Sequence, residues 1–296
     1  MEIRVLRYFL SIAREGSITN AANFLHITQP TLSRQIKDLE EKLGQKLFIR
    51  SSHNMKLTKE GMIFRKRAEE IISMVDKTEA EFKAMEKDIA GDVYIGGGET
   101  DAIGLIAEVI SKLRVEYPHI HYHLYSGNAA DVTERLDRGL LDFGILVQPA
   151  DLIKYDCLHI PAIDRWGVLM RKDCLLAKKS HIIKEDLLDL PLICSRQAIT
   201  DSHGENEFTH WFGSEFEKLN IVTTFNLVYN AAIMVDKGIG YAITIDKIAN
   251  TSENSRLCFR PLKPRLDAKL DMIWKKYSVF SSAVELFLKR VMEKFS

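Results

Sequence analysis

Cysteine is scarce in this chain of 296 residues: Cys157, Cys174, Cys194 and Cys258 are all there is, and no two form a C-x-x-C pair. That spacing argues against a disulfide scaffold or a zinc ribbon and fits a reducing compartment. No stretch approaches the roughly 20 apolar residues needed to span a bilayer. The opening Met-Glu-Ile-Arg-Val-Leu-Arg breaks each apolar run with a charge, so no signal peptide is expected there. Net charge is absent as well, 41 Lys and Arg balancing 41 Asp and Glu. Gly96-Gly97-Gly98 is followed by no Lys-Ser/Thr and is no P-loop. With no G-x-S-x-G elbow and no convincing Ser/His/Asp set, no catalytic residue is assigned and an enzyme is not expected. His119, His121 and His123 would share one face of a strand, yet no Cys or acidic partner is placed to complete a metal site, and none is assigned. What remains is a cytoplasmic chain of ordinary globular composition, 46% hydrophobic and 28% charged. Its length suits about two domains.

The zero net charge hides a split. Residues 1–58 carry nine Lys and Arg against five acids, a net of +4, and the remainder carries 32 against 36, a net of −4. A basic head on a slightly acidic body suits phosphate attraction by one domain alone. In that head Leu6, Phe9, Leu10 and Ala13 follow helical spacing from Ile3. Gly16 is a left-handed stop, and Ser17 caps a second helix with small Ala21 and Ala22. After a break at His26-Ile27, Thr28 is expected to cap a third helix. Its buried stripe is Leu32, Ile36, Leu39 and Leu43, and its exposed face is Gln29, Pro30, Ser33, Arg34 and Lys37. Gly44 ends it. Leu47–Arg50 and Lys56-Leu57 then read as two short strands around a Ser52-His53-Asn54 turn, a wing. An exposed face of Gln, Ser, Arg and Lys on the second helix of a tight pair suits the major groove. A small helical bundle with a solvated polar face is the bland alternative.

Ser17-Ile18-Thr19-Asn20-Ala21-Ala22, Thr28-Gln29-Pro30-Thr31-Leu32-Ser33-Arg34-Gln35-Ile36, Leu39-Glu40, Leu43-Gly44, Leu47-Phe48-x-Arg50 and Leu57-Thr58-x-x-Gly61 resemble the signature of LysR-type transcriptional regulators. The match runs ungapped over about sixty residues. The resemblance implies a bacterial DNA-binding regulator with a helix-turn-helix over Ile18–Lys37. It also implies operator contacts from Thr19, Thr28, Gln29, Pro30, Thr31, Ser33, Arg34 and Lys37, joined by Arg50 and His53 of the wing.

Thr58 is expected to cap a long helix to about Asp88. Phe64, Ala68, Ile71, Val75, Phe82, Met85 and Ile89 step by four and three, with Thr78 filling the gap. That is a heptad repeat, and a lone helix cannot bury its seam. Packing against the chain's own body is the other reading. The resemblance implies a homodimer through this helix, with homotetramers common in the family and RNA polymerase a candidate further partner.

Beyond Gly91 strands and helices alternate, which predicts α/β layers on a parallel sheet. Strands are expected at Val93–Gly96, Ile120–Tyr125 and Phe143–Val147, then near Trp166–Met170, Leu192–Cys194, Thr223–Leu227, Gly240–Ile245 and Leu270–Trp274. Helices are expected at Ile103–Arg114, Ala129–Arg138 and Ser282–Phe295. Crossings near Ile160-Pro161 and Arg260-Pro261 would separate two lobes. The fold class is thus α/β, with a winged helix-turn-helix over 1–58, a linker helix over 59–90 and an effector domain over 91–296. Lobe I takes about 91–160 and 266–296, and lobe II about 161–265. Gly139-x-x-Asp142-Phe143-Gly144-Ile145 and Gly238-x-Gly240-x-Ala242 resemble the family's effector domain, built like a type 2 periplasmic binding protein.

Ligands of such sheets sit at carboxyl ends of strands and at helix N-termini. Those ends hold Glu99, Thr100, Asp101, Ser126 and Asn128 in the first lobe, and Ser195, Arg196, Thr200, Tyr229 and Asn230 in the second. A small-molecule effector is expected there, with no cofactor. Thr100, Asp101 and Asn230 have a second reading as helix caps. Glu99 and Asp101 would repel an anion, which predicts an effector with an amino or other donor group, and Arg196 would meet Glu99 or an anionic end of the ligand. Two rival readings stay open: an enzyme on a binding-protein-like fold, and a cysteine redox sensor with Cys174, beside Lys172 and Asp173, as its weak candidate.

Overall fold

The computed structural model describes residues 1–50, 55–84, 89–147, 153–200 and 207–295, with backbone only for Arg50, residues 80–84 and Thr200. It divides into two compact units, Met1–Lys83 and Ala84–Ser296.

The first unit holds helices α1 (Ile3–Glu15), α2 (Ile18–Phe24) and α3 (Gln29–Leu43), the antiparallel strands β1 (Phe48–Arg50) and β2 (Met55–Leu57), and the long helix α4 (Lys59–Ala84). Local signals set these boundaries. Gly16 and Gly44 take φ of 62° and 65°, the left-handed conformation that ends a helix at little steric cost. The Ser17 hydroxyl accepts from the Asn20 amide at 3.4 Å. His26, at φ 54°, makes the tight turn between α2 and α3. Thr28 departs from expectation: it precedes α3, but its side chain caps no amide. Its hydroxyl pairs with that of Thr31 at 2.8 Å. Pro30, in the first turn, removes one amide that a cap would otherwise serve.

Leu6, Phe9, Ile12, Ala21, Ala22, Leu32, Ile36 and Leu39 form the core of this unit. Leu43 does not join them and stays 40% exposed, because Leu47, just before β1, and Phe48 in it complete the core instead. The Phe9 ring meets Phe48 and Phe64 at 5.1 and 4.8 Å between centroids. A Cβ on Gly61 would lie 2.1 Å from the Leu47 carbonyl oxygen, so only glycine lets α4 start this close to the wing. Thr58 does cap α4, accepting from the Gly61 amide at 2.8 Å. Phe64 and Ala68 are consumed by the core of their own unit, so the expected seam loses its first two positions. Ile71 and Val75 follow, exposed and half-buried respectively. The Phe82 side chain and Met85 lie outside the described residues.

The second unit runs β3 (Gly91–Gly97), α5 (Ile103–Glu116), β4 (Ile120–Ser126), α6 (Ala129–Asp137), β5 (Phe143–Val147), β6 (Tyr155–Arg171), β7 (Leu192–Ser195), α7 (Arg196–Thr200), α8 (Glu207–Phe212), β8 (Ile221–Phe225), α9 (Val228–Asp236), β9 (Tyr241–Ile245), β10 (Leu257–Pro261), β11 (Asp267–Lys275) and α10 (Ser282–Phe295). Among the described residues one nine-stranded sheet has the order β4-β3-β5-β11-β6-β9-β7-β8, with β10 beside β6. It is mixed, not parallel as expected. Strands joined through helices are parallel, β3 with β4 and β5, and β7 with β8 and β9. β11 and β6 run against their neighbours because they carry the chain between the two halves. The strand expected at Trp166–Met170 is only the far end of β6, which is 17 residues long. Its Ile160 packs with Ile95, Phe143, Leu270 and Phe287 in one core. Its Val168 and Met170 pack with Ile182, Leu192, Phe212 and Ile243 in a second. The strand expected at Thr223–Leu227 ends at Phe225, and β10 has no counterpart among the expected strands.

The two glycine-bearing motifs have steric causes. A Cβ on Gly240 would sit 2.3 Å from the Pro191 carbonyl oxygen, and Gly238 takes φ 79°. The Asp142 carboxylate accepts from the Tyr94 amide at 2.8 Å and so ties the start of β5 to β3. The β4 histidines do have an acidic neighbour, contrary to expectation. Asp92 lies 3.0 Å from His123 and 4.0 Å from His121, because β3 and β4 pair in parallel. No described helix is long and apolar enough to cross a membrane.

Candidate functional site

Two surfaces carry the expected site residues, one in each unit. In the first, α3 buries Leu32, Ile36 and Leu39 and turns its other face outward. Thr28, Gln29, Pro30, Thr31, Arg34 and Lys37 are exposed, Ser33 is half-buried, and Thr19 is exposed on α2. The Arg34 side chain is 82% exposed, its Nε 4.0 Å from Asp38, and the Lys37 Nζ stands 3.4 Å from Glu41. Exposed pairs of this kind contribute little, so either cation can turn to a phosphate or a base edge. Arg50 lies on β1, and His53 falls outside the described residues.

Glu40, of the Leu39-Glu40 motif, anchors the start of the wing. Its buried carboxylate accepts from the Leu47 and Phe48 amides at 2.9 and 3.2 Å and from Lys46 Nζ at 2.8 Å. Burial works to raise its pKa, but the Lys46 bond and the two amides outweigh it and hold the carboxyl below its usual range. An acid four residues after Ile36, on the buried stripe of α3, is the signal that could have marked it.

In the second unit a cleft opens between the two cores. From the first core's side it is lined by Gly98, Glu99, Asn128 and Val147. From the other come Ser195, Gln197, Ala198, Glu207, Phe208, Phe225, Asn226 and Val228, and Trp166, Thr244, Ile245, Ile248 and Asp267 complete the wall. The space, counted out to its open mouth, is about 780 Å³, a ceiling that suits a small metabolite. Its body is apolar and aromatic, the Trp166 and Phe208 rings standing 5.0 Å apart.

Of the expected effector residues, Glu99, Asn128 and Ser195 line this space. The others do not. Thr100 is buried and turned away, donating to Asp164 Oδ2 at 2.6 Å and accepting from the Ala102 amide at 3.1 Å. Thr100 therefore serves the start of α5, and Asp101 does not. Asp101 is exposed, its carboxylate 3.6 Å from Lys247. Ser126 and Arg196 are exposed beside the cleft without lining it. Tyr229 is 72% exposed, and Asn230, also exposed, lies inside α9 and not at its cap. Thr200 is described by its backbone alone. Gln197, Trp166, Phe208, Phe225 and Thr244 went unforeseen, because their approach depends on how strands and helices distant in sequence pack together.

Among the described residues, two hydrogen bonds from side chain to helix N-terminus cross the cleft. Glu99 Oε2 accepts from the Val228 amide, the first of α9. Gln197 Oε1 accepts from the Ala129 amide, the first of α6, at 3.1 Å. Below them Asp164 is 1% exposed. Burial pushes its carboxyl pKa up, Asp246 and Asp101 push the same way, and the Thr100 bond and Lys247 oppose them. A carboxyl raised above its unfolded value holds its proton more tightly when folded. Stability is then greatest below the unfolded pKa and falls as pH rises through the folded one. Asp164→Asn should therefore raise the melting temperature near neutral pH by a few degrees and flatten that slope. Melts between about pH 4 and 8 check it, and equal slopes in both proteins would refute it.

Comparison with known proteins covers both units. Residues 3–62 match the family model described as bacterial regulatory helix-turn-helix protein, lysR family, and residues 87–296 match the LysR substrate binding domain. The chain belongs to the LysR family. It is a DNA-binding transcription regulator with a domain for a small-molecule effector. It is 28% identical over 298 residues to the uncharacterized regulator YvbU of Bacillus subtilis, covering 100% of this chain and 99% of that one. It is 36% identical over 165 residues to the regulator BsdA of the same organism, spanning 55% of this chain and 56% of BsdA. The crystal structure of CbnR, a LysR family regulator, superposes with a TM-score of 0.76 at 18% identity and 100% coverage of both chains, a likeness of fold.

Proposed function

We propose that the exposed face of α3 reads an operator in the major groove, with Arg34 and Gln29 on base edges. Thr19, Thr28, Thr31, Ser33 and Lys37 hold phosphates, Pro30 fixes the helix start, and Arg50 and His53 reach the backbone from the wing. The observation that carries this reading is the outward cluster on α3 over a closed apolar core. CbnR, a fold neighbour, has been crystallised with its target DNA. The cleft, with Glu99, Asn128 and Ser195 in its wall, takes the effector and modulates operator binding. The functional divisions are 1–58 for the head, 59–90 for the linker helix and 91–296 for the effector domain. Two chains pair through α4 and place two α3 helices on two half-sites, and dimers pair further into tetramers. The chain works in the cytoplasm, with RNA polymerase as a further partner and no catalysis of its own. Redox sensing is the weaker reading: its candidate, Cys174, is half-buried against the second core, and burial raises the thiol pKa of Cys194 to about 12 and that of Cys258 above its ordinary value, away from reactive thiolate.

Arg34→Ala tests the DNA reading. A bidentate contact to guanine predicts a loss of about 1–3 kcal/mol on the specific site and much less on random DNA. Mobility-shift titrations on both DNAs measure it. Equal losses would make Arg34 a phosphate contact and not a reader.

A further inference from the structure

The two contacts across the cleft are reciprocal in position and unlike in charge. Glu99 stands two residues beyond the end of β3, and Gln197 two residues beyond the end of β7. Each reaches over the cleft to the first amide of a helix on the other side, Glu99 to α9 and Gln197 to α6. The N-terminus of α6 already has its own acceptors, since Asn128 and Asp131 form a capping box there. The N-terminus of α9 has none, because Leu227 precedes it and offers no side-chain cap. The amides of its first turn and their partial positive charge favour an anion. The anion it holds is a side chain of the protein itself.

The rest of the cleft agrees in sign. Glu99 and Glu207 line it, Asp267 is held by Arg265 at 2.7 and 2.9 Å, and no Lys, Arg or His lines it among the described residues. Trp166, Phe208 and Phe225 supply aromatic surface beside these carboxylates. Aromatic faces and carboxylates together favour a cation on an apolar body and repel an anion.

We propose that Glu99 is a built-in anion: it fills the α9 N-terminus from across the cleft, so that the cleft refuses carboxylate effectors and takes a small amine with an apolar or aromatic body. This rests on the reading of the cleft as the effector site. Glu99 is then the residue that sets specificity. One oxygen serves the Val228 amide and the other faces ligand, so the same carboxylate closes the cleft and binds the ammonium. Replacing it by alanine vacates the α9 seat and removes the repulsion. Replacing it by glutamine keeps an acceptor for Val228 and removes only the charge.

Calorimetry and thermal shift on the full-length protein, with benzylamine and benzoate as probes, separate these roles. The wild type should bind benzylamine and show no benzoate binding. E99Q should lose about tenfold or more in benzylamine affinity and still refuse benzoate. E99A should lose benzylamine and gain benzoate, with its own melting transition reporting that it is folded. A folded E99A that gains no benzoate, or a wild type that binds benzoate equally well, overturns the role of Glu99 and leaves the cleft as the effector site. Asn226→Trp, which fills the wall beside Val228, should abolish benzylamine binding. Unchanged binding in that variant overturns the cleft reading itself.

Discussion

Val75→Asp should convert the proposed dimer to a monomer at micromolar concentration and remove tight operator binding. Phe64 and Ala68 are already spent on the core of their own unit, so the heptad pattern can serve a partner only from Ile71 onward. Ile71 is 39% exposed, and Met74, Val75, Thr78 and Glu79 border a mostly apolar depression on α4. In the lone chain an aspartate there would sit on a solvated helix face, at a propensity cost of about 0.7 kcal/mol or less. Between two chains it would bury a carboxylate against apolar side chains, which costs several times more. The asymmetry means that assembly fails while the fold survives. A bivalent grip on two half-sites exceeds a single one by roughly 10² to 10⁴, so operator affinity should fall within that range. Sedimentation with circular dichroism on the same sample reads both effects. A variant that still sediments as a dimer would place the interface elsewhere, and Phe82→Asp should behave as Val75→Asp does.

How much of this was legible in the sequence depended on how local its cause is. Gly16, Ser17 and Gly44 set helix boundaries within a turn of themselves, and all three act as their residue types predict. The helix over Ser282–Phe295 and the strand over Phe143–Val147 were equally plain, since amphipathic spacing and a short apolar run carry them. The mixed sheet was not legible, because strand direction is decided by partners a hundred residues away, as in the pairing of Leu270 with Val147 and Ile160. The cleft was legible only in its smaller part. A rule about strand ends located Glu99, Asn128 and Ser195, but the same rule selected Thr100. That residue instead serves a buried carboxyl 64 positions later in the chain. Trp166, Phe208 and Thr244 sit inside regular elements and look like core in the sequence. Only the geometry of the two cores exposes one edge of each to the cleft.

Glu40→Ala should cost the head about 3 kcal/mol and cripple operator binding without touching any residue that faces DNA. The carboxylate is the acceptor for the Leu47 and Phe48 amides, both on buried residues, and removing it leaves two donors without a partner. An unsatisfied buried donor costs about 1–3 kcal/mol, so two of them are a large part of a small domain's stability. Glu40→Gln keeps one acceptor oxygen for both amides and loses the charged bond to Lys46, so about 1 kcal/mol is expected. The pH dependence has a definite sign. A carboxyl held below its unfolded pKa contributes stability that is present above the unfolded value and lost as pH falls through the folded one. Acid should therefore loosen the wild-type wing and leave Glu40→Gln comparatively unchanged. Tryptophan fluorescence will miss all of this, since Trp166, Trp211 and Trp274 lie in the second unit. Hydrogen exchange at the Leu47 and Phe48 amides reads the bonds directly and should accelerate in Glu40→Ala far more than in Glu40→Gln. Equal protection in all three proteins would show that the wing is held by Leu47 and Phe48 packing alone, with the carboxylate a bystander.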